Sequence, residues 1–161
     1  MKRLSLLCAL GMVSFALSAQ SAPVWQPQLG VVWSQPQGDL KDVSTDAGWG
    51  VMLATQAQDP RGGSLRLFGE YRRFKALDTN YSLTDAGLLF TAPFGGPVYG
   101  FLGVSGEKIQ LPNRKGAIKL GARGGLGWNL GTHARLEAGY TTASLDHRSV
   151  NTTEASLIFS F

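Results

Sequence analysis

The chain has 161 residues, with 15 Lys and Arg against 11 Asp and Glu and a formal net charge of +4. Two of the basic residues, Lys2 and Arg3, sit in an amino-terminal segment that reads as cleaved, which leaves 13 basic against 11 acidic residues, too even and too scattered for a nucleic-acid partner. There is no phosphate-cradling glycine loop, no paired Cys or His ligands and no EF-hand loop, so neither a cofactor nor a metal is expected.

Met1-Lys2-Arg3 is a short basic region, Leu4 to Leu17 is apolar, and the small and polar residues Ser18 to Ala22 follow before Pro23. This order predicts a secretory signal peptide, residues 1–22, because the apolar run is too short to cross ~30 Å of hydrocarbon. Cleavage is expected after Ala22, which makes residues 23–161 one domain of about 139 residues. Cys8 lies inside the apolar region and follows Leu6-Leu7, which does not suit a lipidation site, so the mature domain is expected to lack cysteine.

From there the period is two. Trp25, Pro27, Leu29, Val31 and Trp33 share a face, and after a polar stretch from Gln35 to Asp46 the pattern resumes with Trp49, Val51 and Leu53. A Pro- and Gly-containing turn spans Ala57 to Gly63, then Leu65, Leu67, Gly69 and Tyr71 alternate with Arg66, Phe68, Glu70 and Arg72. A short loop, Lys75 to Asn80, leads to Thr84, Ala86, Leu88 and Phe90, and Ala92 to Pro97 is the next turn. The segment from Val98 to Glu107 reads as a strand, with the odd residues Tyr99, Phe101 and Glu107 the preferred inner set. A polar loop from Lys108 to Lys115 follows. Ile118, Leu120, Ala122, Gly124, Leu126, Trp128 and Leu130 then form the cleanest apolar stripe. Gly131 to His133 turns the chain, Ala134, Leu136, Ala138 and Tyr140 continue it, and a last polar loop is expected from Leu145 to Asn151. The final strand carries Ala155, Leu157, Phe159 and Phe161 on one face. A strand places alternate side chains on opposite faces, so each of these segments has one apolar face.

The result is eight strands joined by longer polar loops after strands one, three, five and seven and short turns after strands two, four and six. This pattern predicts an all-β fold, an eight-stranded antiparallel transmembrane β-barrel in up-and-down meander order. Trp25, Trp128 and Phe161 are expected as interface aromatics at one rim, joined by Phe90. Trp33, Trp49 and Tyr71 are expected at the other, joined by Tyr140.

The stretches Leu65-Arg-Leu-Phe-Gly-Glu-Tyr71, Gly124-Gly-Leu-Gly-Trp-Asn-Leu130 and Ala134-Arg-Leu-Glu-Ala-Gly-Tyr140 resemble strand signatures of the small OmpA-like and OmpX-like outer-membrane barrels. The terminal Ser160-Phe161 resembles the signal read by the barrel-assembly machinery. The resemblance spans the mature chain and implies a Gram-negative outer-membrane location, a monomer, and outer-membrane lipid and lipopolysaccharide as partners. It also implies a structural or envelope-integrity role.

Charge follows the same alternation. The inward parity collects Arg66, Glu70, Arg72, Asp85, Arg123, Arg135, Glu137 and Glu154, with Glu107 and Lys119, whereas the outward faces carry only Arg73. An eight-stranded barrel is just wide enough for side chains to fill, so these charges must pair. The expected pairs are Arg66, Glu70 and Arg72 with Asp85, Arg123 with Glu137, and Arg135 with Glu154. Such a network is either a plug of salt bridges or a narrow gated ion path. Gly121, Gly125, Gly127 and Gly139 are expected to give its side chains room.

A catalytic alternative rests on His147-Arg-Ser149, which resembles the His-x-Ser-Asn motif of lipid A deacylases, with His147 as base and Ser149 as nucleophile. Val150 stands where that motif has Asn, and the pair falls in the expected loop. In the first loop Asp39, Lys41, Asp42 and Asp46 are candidates for divalent ions or lipopolysaccharide headgroups.

Overall fold

The computed structural model describes residues 24–41, 46–58, 62–75, 80–110, 116, 118–145 and 148–161, with the side chains at 144, 145 and 148 excepted. The signal-peptide expectation and His147 lie outside the described residues. The strands are β1 (Trp25–Gln37), β2 (Gly48–Gln58), β3 (Ser64–Lys75), β4 (Asn80–Gly95), β5 (Val98–Gln110), β6 (Ile118–Asn129), β7 (Ala134–Leu145) and β8 (Arg148–Ser160). Each pairs antiparallel with its sequence neighbours, and β8 returns to β1 to close an eight-stranded barrel. The closing seam aligns Leu29 with Phe159, Val31 with Leu157 and Trp33 with Ala155, so apolar side chains of the first and last strands lie side by side on the outside. Closure pairs every strand on both sides, which removes the edges that hydrocarbon could not satisfy.

Burial inverts the order of a water-soluble protein. Leu120 is 85% exposed and Leu53 65%, while Arg66 and Arg72 are both 0% exposed. Leu102, Val104, Leu126 and Leu136 extend the apolar outer belt. Charge inside and hydrocarbon outside suits a lipid surround and no aqueous one. In β5 the odd residues Tyr99, Phe101, Ser105 and Glu107 point into the barrel, with Leu102 and Val104 outward.

The strands run further than the apolar alternation does. The end carrying the β1–β2, β3–β4, β5–β6 and β7–β8 connections is here the distal end; the chain termini and the other turns mark the terminal end. Distally, β1 continues to Gln37, β5 to Gln110 and β7 to Leu145, while β8 starts at Arg148. Most of the polar loop expected from Leu145 to Asn151 is therefore paired strand, with Ser144 opposite Ser149 and Ala143 opposite Val150. The regular alternation of long and short connections does not hold either, because the last distal connection is as short as any turn. At the terminal end the β4–β5 turn places Gly95 and Gly96 at φ of 119° and 58°, a region glycine enters without steric penalty.

Candidate functional site

The lumen is filled in layers. Nearest the distal mouth, Leu40, Phe74, Tyr81, Leu83, Ala143 and Val150 form a buried apolar cap. Phe74 and Tyr81 stack with ring centroids 4.9 Å apart. Leu40 comes from a single 3-10 turn after β1, Gly38–Leu40, which folds inward over the strands. Asp39 fixes that turn by accepting from the Ser149 backbone N–H at 2.7 Å and from its hydroxyl at 3.3 Å.

Beneath the cap lies the charged layer. Arg72 contacts Glu70 through Nε at 2.8 Å, and its two terminal nitrogens contact Asp85 and Glu154. Arg123 contacts the other oxygen of Glu70 at 2.7 Å and the other oxygen of Glu154 at 2.8 Å. Arg72, Glu70, Arg123 and Glu154 thus close a four-membered ring of alternating charge. The hydroxyls of Thr141 and Thr152 donate to Glu154 at 2.8 and 2.7 Å. The Arg123 guanidinium also lies over the Phe68 ring, 5.2 Å from its centroid. Shared oxygens and added hydroxyls are what a buried ion cluster needs to offset its lost hydration.

A second apolar layer follows, built from Val32, Met52, Phe68, Leu89, Phe101 and Ile158, with Tyr99 at its edge. Beyond it the terminal half of the lumen is polar. Arg66 spans the barrel and grips Glu137 with both terminal nitrogens, at 2.9 and 2.5 Å. The Tyr99 hydroxyl donates to the same carboxylate at 2.6 Å. Arg135 donates to Gln56 at 2.6 Å and to Ser160 at 3.1 Å.

All eight charged residues expected in the interior face the lumen, but their pairing differs from expectation. Arg123 meets Glu70 and Glu154 and not Glu137; Arg66 meets Glu137 and not Asp85; Arg135 meets neutral oxygens and not Glu154. Only Arg72 pairs with Asp85 as expected. Arginines are long enough to cross so narrow a lumen, so partners come from facing strands and not only from adjacent ones. The glycines also serve a different purpose. A Cβ at Gly121 would meet Glu107, but one at Gly127 would enter the Tyr99 ring at 2.1 Å, and those at Gly125 and Gly139 would meet Phe101 at 2.7 and 2.9 Å. Gly127 and Gly139 therefore make room for aromatic side chains, whereas a Cβ at Gly125 would first meet the Ala138 carbonyl oxygen of β7 at 2.2 Å. The inward apolar residues at 68, 89 and 158 interrupt the polar parity of their strands, and that interruption was the available sign of the second layer.

Of the interface aromatics, Trp25, Trp49, Tyr71, Trp128 and Phe161 are exposed on the outside, and Trp33, directly opposite Trp49, is partly covered. Ser149 sits in β8 with its hydroxyl on Asp39, not in a loop. His133 is exposed at the β6–β7 turn, with Nδ1 3.2 Å from the Ser160 carbonyl. Among the described residues no group of three or more His, Cys, Asp or Glu is placed to hold a metal ion.

A closed eight-stranded meander with an apolar exterior and a salt-bridged interior is a transmembrane β-barrel of the outer-membrane type. Solved barrels of that class superpose on it. Neisserial surface protein A matches at TM-score 0.57 and 16% identity, over 88% of this chain and 100% of that one. Ail, the attachment invasion locus protein of Yersinia pestis, matches at 0.60 and 15%, over 88% and 100%. The N-terminal β-barrel domain of Pseudomonas aeruginosa OprF matches at 0.59 and 12%, over 84% and 97%. A further Ail structure, in complex with the heparin analogue sucrose octasulfate, matches at 0.52 and 18%, over 85% and 97%. At these identities the likeness is one of fold. No protein-family model matches the sequence. No curated protein matches it in sequence.

Proposed function

We propose that this barrel is a non-enzymatic outer-membrane protein with a structural, envelope-integrity role, and that its lumen is a plug and not an ion path. One observation carries the reading: two separate apolar layers, around Phe74 and around Phe101, bracket a closed ring of ion pairs. An ion crossing the lumen would have to part both layers and the ring. In this reading the chain is a monomer inserted by the barrel-assembly machinery, with both termini periplasmic and the distal end outside.

The distal rim supports lipopolysaccharide as a partner. Arg73, Lys75 and Lys108 are exposed at the distal ends of β3 and β5, just past the apolar belt, where lipid phosphate would lie. The sulfated ligand of the Ail structure is a polyanion, and this basic edge suits the same charge class.

Cell fractionation with heat-modifiable gel migration tests the location, and planar-bilayer recording tests the plug. The expected results are an outer-membrane band that shifts on heating and no steady single-channel steps. A stable conductance would reinstate the ion path. Loss of an acyl chain from lipid A on expression, abolished by Ser149→Ala, would replace this reading with the deacylase.

A further inference from the structure

At the terminal mouth the lumen opens into a cavity of about 180 Å³, rimmed by Gln56, Gln58, Ser64, Thr91 and Asn129, with Arg135 in its wall. Among the described residues, the charges around it do not balance. Two buried arginines, Arg66 and Arg135, stand against one buried carboxylate, Glu137, on this side of the Phe101 layer. Glu137 is fully engaged, since Arg66 takes both of its oxygens and Tyr99 adds a third hydrogen bond. Arg135 is 9% exposed; it donates to the neutral oxygens of Gln56 and Ser160 and lies beside the Tyr99 hydroxyl, within the field of Glu137. A guanidinium withdrawn from water beside neutral partners is a strong draw for an anion.

We infer that this cavity is a binding site for a carboxylate, carried by a small ligand or by an acidic side chain of a partner at that membrane face. The size sets the class, because it is below the roughly 300–1,000 Å³ of pockets for drug-sized ligands and suits one compact acidic group. The donors set the chemistry. Arg135 brings a planar guanidinium, the amides of Gln58 and Asn129 offer neutral donors around it, and the Ser64–Thr91 pair, whose hydroxyls hydrogen-bond to each other, has one hydroxyl proton left to give. A single net positive charge matches a monoanionic, planar carboxylate better than a phosphate dianion. Gly62, Gly63 and Gly96 line it with backbone alone.

The test uses the folded barrel in nonionic maltoside micelles, titrated with propionate and, separately, with inorganic phosphate, while amide shifts of Gly62, Gly63 and Gly96 are followed. Saturable shifts with propionate that weaken at least tenfold in Arg135→Gln support the site. Gln58→Glu provides an independent variant at an exposed position, which would add a carboxylate to the wall of the same cavity. It is expected to abolish propionate binding and to raise the thermal midpoint. No saturable shift with propionate, binding of phosphate alone, or unchanged propionate affinity in Arg135→Gln would overturn the inference. Should Arg135→Gln fail to fold, unchanged binding in Gln58→Glu overturns it equally.

Discussion

Glu70 and Glu154 share the same two arginines, each giving one carboxylate oxygen to Arg72 and the other to Arg123. Neither carboxylate can lose a partner without leaving the other in the same state. The ring therefore acts as a unit, and single substitutions within it should be non-additive.

Arg123→Ala is expected to destabilise the barrel by about 3–5 kcal/mol, the usual loss when one member of a buried ion pair is removed. It also loses the stack on Phe68. Urea unfolding in one fixed lipid measures the effect. Pairing the substitution with Glu154→Gln should recover part of it, and a double variant as unstable as the sum of the singles would contradict the ring.

Gly127→Ala should displace the Tyr99 ring and break its hydrogen bond to Glu137, at a cost of about 1–3 kcal/mol. Gly131→Ala is the control, because nothing lies within 4 Å of the added methyl group. Its unfolding midpoint should stay within about 0.5 kcal/mol of the parent. Equal losses at both positions would mean that glycine flexibility, and not space for Tyr99, is what matters.

Val104→Arg tests the lipid-facing belt. Val104 is 56% exposed in the middle of β5, and an arginine facing mid-membrane costs about 2–4 kcal/mol. Val104→Leu should be close to neutral. The comparison is made by reversible unfolding in bilayers, not in detergent, where the penalty would shrink.

Asp39→Ala removes both acceptor contacts from Ser149 and frees the turn that carries Leu40. The expected change in global stability is about 1 kcal/mol. Hydrogen exchange at the Ser149 amide should accelerate much more than exchange in β3 or β6. Protection left intact at Ser149 would assign the turn's position to Leu40 alone.

The membrane-level half of this architecture was legible because hydrocarbon imposes a strict alternation. Leu120, Ala122, Gly124, Leu126 and Trp128 obey it without exception, and β6 was placed within one residue. Past the hydrocarbon boundary that constraint ends. Ser149, Asn151 and Thr153 face outward on β8 and are polar, so their strand looked like a loop. Inward parity likewise sorted the charges correctly but left their pairing open. Arg66 and Glu137 are joined by reach across the lumen, which parity along one strand does not encode. The Arg135 cavity was hidden for the same reason, since its walls come from turns and strands far apart in sequence.

The four-membered ring draws Arg72 and Glu70 from β3, Arg123 from β6 and Glu154 from β8, the barrel strand that follows the other seven in chain order. Until β8 docks along β1, Arg72 and Arg123 are without one of their two shared carboxylates. Seam zippering and completion of the ring are therefore one event. A nascent sheet that has not yet met its own beginning must keep its concave side hydrated, and expulsion of that water marks the moment of commitment. The strand that clasps the cylinder from outside thus also fastens its interior, through Glu154.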